Sequence, residues 1–144
     1  MKRIHPHLRP LALVIALLAT IISLYLSEAM HLIPCMLCWY QRIVMYPLVI
    51  IIAVGIFLND KKLHFYALPL SFMGLVIAIY HNLLYYHIVS ENLLPCSTGI
   101  SCTTPQLNLF GFLTIPLMSL GAFLLLNSCL LFDTLLESKN DKAD

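Results

Sequence analysis

Phe65-Tyr66-Ala67-Leu68-Pro69-Leu70-Ser71-Phe72-Met73-Gly74-Leu75-Val76-Ile77-Ala78-Ile79-Tyr80-His81-Asn82-Leu83-Leu84-Tyr85-Tyr86 is the run that decides the fold. It contains no Asp, Glu, Lys or Arg. A helix crosses a bilayer with about 20 mostly apolar residues, so this run crosses outright. Residues 109–132 repeat the pattern. Two further apolar runs, 11–26 and 43–58, reach spanning length once flanking interfacial residues such as Trp39 and Tyr40 are counted. The expectation is an all-α membrane protein, a bundle of four transmembrane helices over about 11–29, 39–58, 65–87 and 109–132. They form a single integral membrane domain over 1–144, with an outer loop over about 88–108.

Composition agrees. Hydrophobic residues make up 60% of the chain and charged residues 10%, against roughly 25% charged in soluble domains. So few charges cannot cover a water-facing surface. A net charge of +1 with no basic, aromatic-interleaved patch implies no nucleic-acid partner. Lys2, Arg3 and Arg9 before the first run also suit a signal peptide. The exit Ser27-Glu28-Ala29-Met30 lacks a small-x-small cleavage pattern, however, which favours an uncleaved helix.

Four spans put both termini on one side. Lys2, Arg3, Arg9, Lys61, Lys62, Lys139 and Lys142 fall on that side and only Arg42 on the other. The positive-inside rule makes the first side cytoplasmic. Pro47, Pro69 and Pro116 lie within the expected spans, where neighbouring groups re-satisfy the backbone. The tail from about Asp133 is polar and is expected to fray.

Four of the five cysteines fall at the outer face, where disulfides persist. Cys35 and Cys38 sit in Pro34-Cys35-Met36-Leu37-Cys38-Trp39-Tyr40-Gln41-Arg42. Pro34 suits the first position of a helix. The two cysteines then share a face, and the free N–H groups of that end favour a thiolate. Arg42 lies one turn beyond Cys38. A cation at that depth is costly and implies a buried anion or a polar ligand; a snorkelling arginine is the alternative. Such a cation beside a thiolate also suits a ligand whose oxygens become negative on reduction.

Cys96 and Cys102 lie in Pro95-Cys96-Ser97-Thr98-Gly99-Ile100-Ser101-Cys102-Thr103-Thr104-Pro105, a segment rich in turn formers. An exposed pair of this kind suits exchange with a large protein dithiol through a mixed disulfide. Two other readings compete: inert staples in a small membrane scaffold or transporter subunit, and a zinc site built from four thiolates. Thiol titration and metal analysis separate them. Cys129, in an apolar run on the other side, reads as a small buried hydrophobe.

The motif Cys35–Arg42, the following Tyr46-Pro47, the pair Cys96/Cys102, and Phe110-Gly111-Phe112 leading into Ile115-Pro116 resemble the DsbB family of disulfide bond formation proteins, in particular its short BdbC-like branch. The resemblance covers nearly the whole chain. It implies a membrane enzyme, a protein-dithiol:quinone oxidoreductase. Such an enzyme reoxidises a thioredoxin-fold thiol oxidase of the DsbA-like or BdbD-like type and passes electrons to menaquinone or ubiquinone. It implies a bacterial cell membrane, the active cysteines on the extracytoplasmic face, no metal, and a monomer. By the family order, Cys96 forms the mixed disulfide with the partner and Cys102 exchanges with Cys35. Cys38 is the thiolate beside the quinone, with Arg42 assisting. The loop between Cys96 and Cys102 is much shorter than in the longer members, and Gln41 stands where some members have an acid. His81 and His87 lie towards the outer end of the third helix. Quinone reduction needs protons and histidine titrates near neutrality, so His81 is a candidate to hydrogen-bond the quinone; helix packing is its alternative role. A haem-type electron carrier would need paired histidines on facing helices, and His81 and His87 share one helix.

Overall fold

A computed structural model describes residues 7–89, 108–109 and 113–141. Four helices dominate: α1 (Leu8–Glu28), α2 (Met36–Phe57), α3 (Leu63–Tyr85) and α4 (Ile115–Asp141). All four are long and apolar enough to span a bilayer. A short antiparallel ribbon, β1 (Asn108–Leu109) with β2 (Leu113–Thr114), leads into α4. Each helix packs on its neighbours in the chain, and α4 closes the ring against α1.

The lipid-facing surface follows from which residues stay outside. Ile21, Ile43, Ile50, Phe72, Leu124 and Leu131 are exposed on the bundle. Water would oppose such a surface, whereas a hydrocarbon solvent accepts it. Trp39 and Tyr40 also face outward, as interfacial aromatics do.

Inside, small residues let helices approach. Ala12 and Ala16 are the fully buried positions of α1. Gly74 of α3 lies under the ring of Phe123 from α4, and any side chain there would collide with that ring. Small residues at such contacts are how membrane helices gain packing. Asn127 of α4 donates to Ser71 O of α3 at 3.1 Å, and Asn82 of α3 donates to Pro116 O of α4 at 2.8 Å. These bonds fix the α3–α4 pair at two heights.

Pro47 and Pro69 sit within unbroken helices and face outward. Pro116 falls in the first turn of α4, where a missing N–H has no intrahelical acceptor to lose. The fourth helix begins at Ile115, because Leu109 and Leu113 are taken by the ribbon. It also continues past Phe132 to Asp141. Asp133 is buried, not frayed, for a reason found on α1. Arg9 Nε donates to Asp133 Oδ2 at 2.8 Å, and its Nη1 donates to Asp60 O at 2.9 Å. Asp60 is the hub of the α2–α3 turn. Its carboxylate accepts from Lys62 N at 2.8 Å and from the Tyr66 hydroxyl at 2.6 Å. The Tyr66 hydrogen bond, then the Lys62 amide, hold this carboxyl below its ordinary value. Asn59 takes positive φ (49°) to make the turn, a conformation that asparagine tolerates better than most residues.

Candidate active site

The helix α2 starts two residues later than a Pro34 at its first position would set it. Cys35 is its N-cap, with extended backbone (φ −70°, ψ 170°), and Met36 is its first helical residue. The Cys35 carbonyl accepts from Trp39 N at 3.1 Å, which closes the first turn. This brings Cys38 back over Cys35, with their sulfurs 3.1 Å apart. A small rotation of either side chain brings sulfurs at this separation to bonding distance, so the pair can close as a disulfide.

The two sulfurs meet different surroundings. Cys35 is buried in a small cluster with Leu37 and Leu84, packed by Tyr80 and Ile77 of α3. His81 Nε2 lies 3.7 Å from its sulfur, and Gln41 Nε2 lies 3.4 Å from His81 Nδ1. His81 and Gln41 are themselves buried. The Cys35 side chain makes no hydrogen bond to the helix N-terminus. Its thiol is pushed up to about 12, first by the hydrogen bond to Cys38 and next by burial, against a lowering by His81. The thiolate expected at this helix start therefore does not fall on Cys35: an N-cap sulfur that turns to Cys38 forgoes the helix N–H groups.

Cys38 opens on the other side into a cavity of about 500 Å³ between α1, α2 and α4. Leu18, Ile22, Met118 and Phe123 are among its apolar walls. Arg42, one turn below Cys38, is in the same wall. Its Nε donates to Ser23 Oγ and its Nη2 to Ser23 O, both at 2.9 Å, and its guanidinium lies 5.8 Å from the Trp39 ring centre. The arginine is thus anchored across to α1, not extended to the interface. Among the described residues no carboxylate pairs with it. Tyr46, one turn further, also lines the cavity; its hydroxyl is buried with no hydrogen-bond partner among the described residues.

Of the residues marked in the sequence, the structure brings together Cys35, Cys38, Arg42 and His81. It places His81 against Cys35, outside the cavity wall, because α3 does not border that cavity. Cys96 and Cys102 lie outside the described residues. Cys129 is half-buried on α4 and packs against the core. Ser23 enters the site unannounced, and Gln41 and Tyr46, quoted in the motif without a site role, join it. Tyr46 was accessible from spacing, at four residues from Arg42 and eight from Cys38 on one helical face; Ser23 carried no such signal. Cys35, Cys38 and His81 also offer ligand atoms within 4.8 Å of one another, a donor set that a thiophilic metal accepts.

Comparison with known proteins agrees with this geometry. The sequence pattern of disulfide bond formation protein DsbB matches residues 6–132. The chain is 44% identical over 116 residues to probable disulfide formation protein C 2 of Bacillus cereus, covering 81% of this chain and 83% of that one. It is 44% identical over 113 residues to disulfide bond formation protein C of Bacillus subtilis, covering 78% and 82%. A probable disulfide formation protein of Metapseudomonas resinovorans is 38% identical over 113 residues, 78% of each chain. No solved structure matches the chain. A multi-pass membrane thiol–disulfide oxidoreductase is the class that fold and site define. Within that class, the chain belongs to the DsbB family of disulfide bond formation proteins.

Proposed function

We propose that this chain reoxidises an extracytoplasmic thioredoxin-fold dithiol oxidase, of the DsbA-like or BdbD-like type, and delivers the electrons to a membrane quinone. One observation carries the reading: Cys38 stands at once 3.1 Å from Cys35 and in the wall of an apolar cavity that also holds Arg42 and Tyr46. The cavity suits a quinone on its own terms. Its volume falls within the range of roughly 300–1,000 Å³ usual for small-molecule sites. Its walls are apolar, and it presents a guanidinium and a buried hydroxyl with no partner among the described residues, both suited to carbonyl oxygens. Arg42 and Tyr46 would hold the ring, and the α1 and α4 side chains its apolar body. A bound quinone supplies an acceptor for two electrons and two protons. Arg42 stabilises negative charge that develops beside Cys38, and its Ser23 anchor keeps it there without neutralising it.

The loop pair completes the relay. Cys96 meets the partner's dithiol, Cys102 exchanges with Cys35, and Cys38 is released towards the cavity as the thiolate of the pair. The protonated state favoured at Cys35 supports that division of roles. The basic termini and the Lys61–Lys62 turn support a reading in which the other end lies in the cytoplasm of a bacterial cell; the reading takes the chain as a monomer. The test mixes the purified protein with a reduced thioredoxin-fold dithiol and a soluble quinone and follows quinone absorbance. Stoichiometric reduction that requires Cys35 and Cys38 is expected. Tightly bound zinc with protected thiols would contradict it.

A further inference from the structure

Cys35 is the sulfur for which this reading supplies no proton path. It is 7% exposed, and the cavity wall holds Cys38 and Gln41 but neither Cys35 nor His81. Yet a sulfur released from a mixed disulfide leaves as a thiolate, and a thiolate in an apolar cluster is costly until it is protonated. Among the described residues, the basic group within reach is His81, 2% exposed, with Nε2 3.7 Å from the sulfur. Its other ring nitrogen faces the side-chain amide of Gln41 at 3.4 Å. Turning that amide over presents its oxygen in place of its nitrogen, so Gln41 can support either ring tautomer. A buried imidazole held at one nitrogen by an amide and facing sulfur with the other is the arrangement that activates thiols by proton transfer.

We propose that His81 is the acid–base partner of Cys35 in thiol–disulfide exchange, and that Gln41 is a positioning residue which sets the ring nitrogen facing the sulfur. The inference rests on the reading that Cys35 and Cys38 cycle between disulfide and dithiol. In the reductive direction a donor thiolate bonds to Cys35, the Cys35–Cys38 bond breaks, and Cys38 is released. The donor's second thiolate then bonds to its own first sulfur and displaces Cys35. One disulfide is lost and one formed, and two electrons pass from donor to pair. The donor sheds two protons. His81 places a proton from Nε2 on the departing Cys35 sulfur and is recharged by one of those shed; the other passes to solvent, its charge balanced by the Cys38 thiolate. In the oxidative direction His81 removes the Cys35 proton so that the sulfur can attack.

Among the described residues, the titratable and charged groups around this pair are few. On α2 they are Cys38, Arg42 and Tyr46; on α3 there is Tyr80, packed against the cluster with its hydroxyl buried. The α1 and α4 side chains in the cavity wall include no titratable group. A pH profile of Cys35 therefore has a short list of sources.

The experiment uses the full chain with Cys96, Cys102 and Cys129 replaced by Ser, reconstituted in lipid. The reduced pair is alkylated with iodoacetamide across pH, and Cys35 and Cys38 are resolved by peptide mass spectrometry. His81→Gln keeps a hydrogen-bonding side chain of similar reach but holds no proton. It is expected to move the Cys35 profile up by about one pH unit, which slows Cys35 about tenfold at fixed pH while Cys38 stays near its parent rate. Gln41→Leu should shift Cys35 the same way by less. An unshifted profile in folded His81→Gln overturns the acid–base role; if that variant does not fold, His81→Asn and Gln41→Leu decide by the same readout. The parent is also equilibrated in a dithiothreitol redox buffer. A pair that fails to cycle there overturns the functional reading itself. A pair that cycles with unshifted variants overturns this inference alone.

Discussion

The bundle has an arginine near each end, and the two are held differently. Arg9 bonds a buried carboxylate, Asp133, and a turn carbonyl, Asp60 O. Among the described residues, Arg42 bonds the neutral hydroxyl and carbonyl of Ser23. At the first end the cation is matched by a fixed anion, and the result is a clamp joining α1, the α2–α3 turn and α4. At the second end the cation is positioned beside a sulfur and an open cavity, with no carboxylate paired to it among the described residues. A protein spends fixed countercharge where it wants rigidity and withholds it where charge must appear during a reaction.

That contrast can be broken at either end. The largest effect is expected at the clamp. Asp133→Ala removes the buried carboxylate that Arg9 bonds and should cost about 3 kcal/mol or more in unfolding stability. Replacing both residues, Arg9→Met with Asp133→Leu, should recover much of that loss, and the thiol chemistry at the far end should survive. Denaturant unfolding in mild detergent measures the first claim and dithiol oxidation the second. At the other end Arg42→Met should lower quinone turnover about 100-fold while unfolding changes far less than in Asp133→Ala. Tyr46→Phe removes a single neutral donor, so a loss nearer tenfold is expected in the same assay. The smallest effect concerns acid. The Asp60 carboxyl lies below its ordinary value, so its contribution is complete above the unfolded carboxylate value of about 3.9 and is lost as pH falls through the lower folded value. Acid unfolding of the parent should show this slope at its low-pH limb, and Asp60→Asn should flatten it.

The two ends also differ in how far they could be read in advance. Spanning helices are written in continuous apolar runs, and the second pair member Cys38 and the cation Arg42 follow from helical spacing. The clamp was not legible: Arg9 and Asp133 are 124 residues apart, and the polar tail after Phe132 looks like a frayed end until its first acid is seen to face Arg9. Ser23 is equally silent, being one hydroxyl in a helix whose interior small residues all read alike. His81 was visible as a polar residue on an apolar helix, but its direction depends on how α3 packs on α2, which periodicity alone does not set. It turned to Cys35 and away from the cavity because α1, α2 and α4 enclose that space.

The measurement closest to the central claim is reduction of a soluble quinone by the purified chain supplied with a reduced thioredoxin-fold dithiol, in parent, Cys38→Ser and Arg42→Met. One quinone consumed per dithiol oxidised, abolished in Cys38→Ser and strongly slowed in Arg42→Met, is the predicted result. Dithiol oxidation that proceeds equally well without quinone, or quinone reduction that survives loss of the Cys38 sulfur, would contradict it.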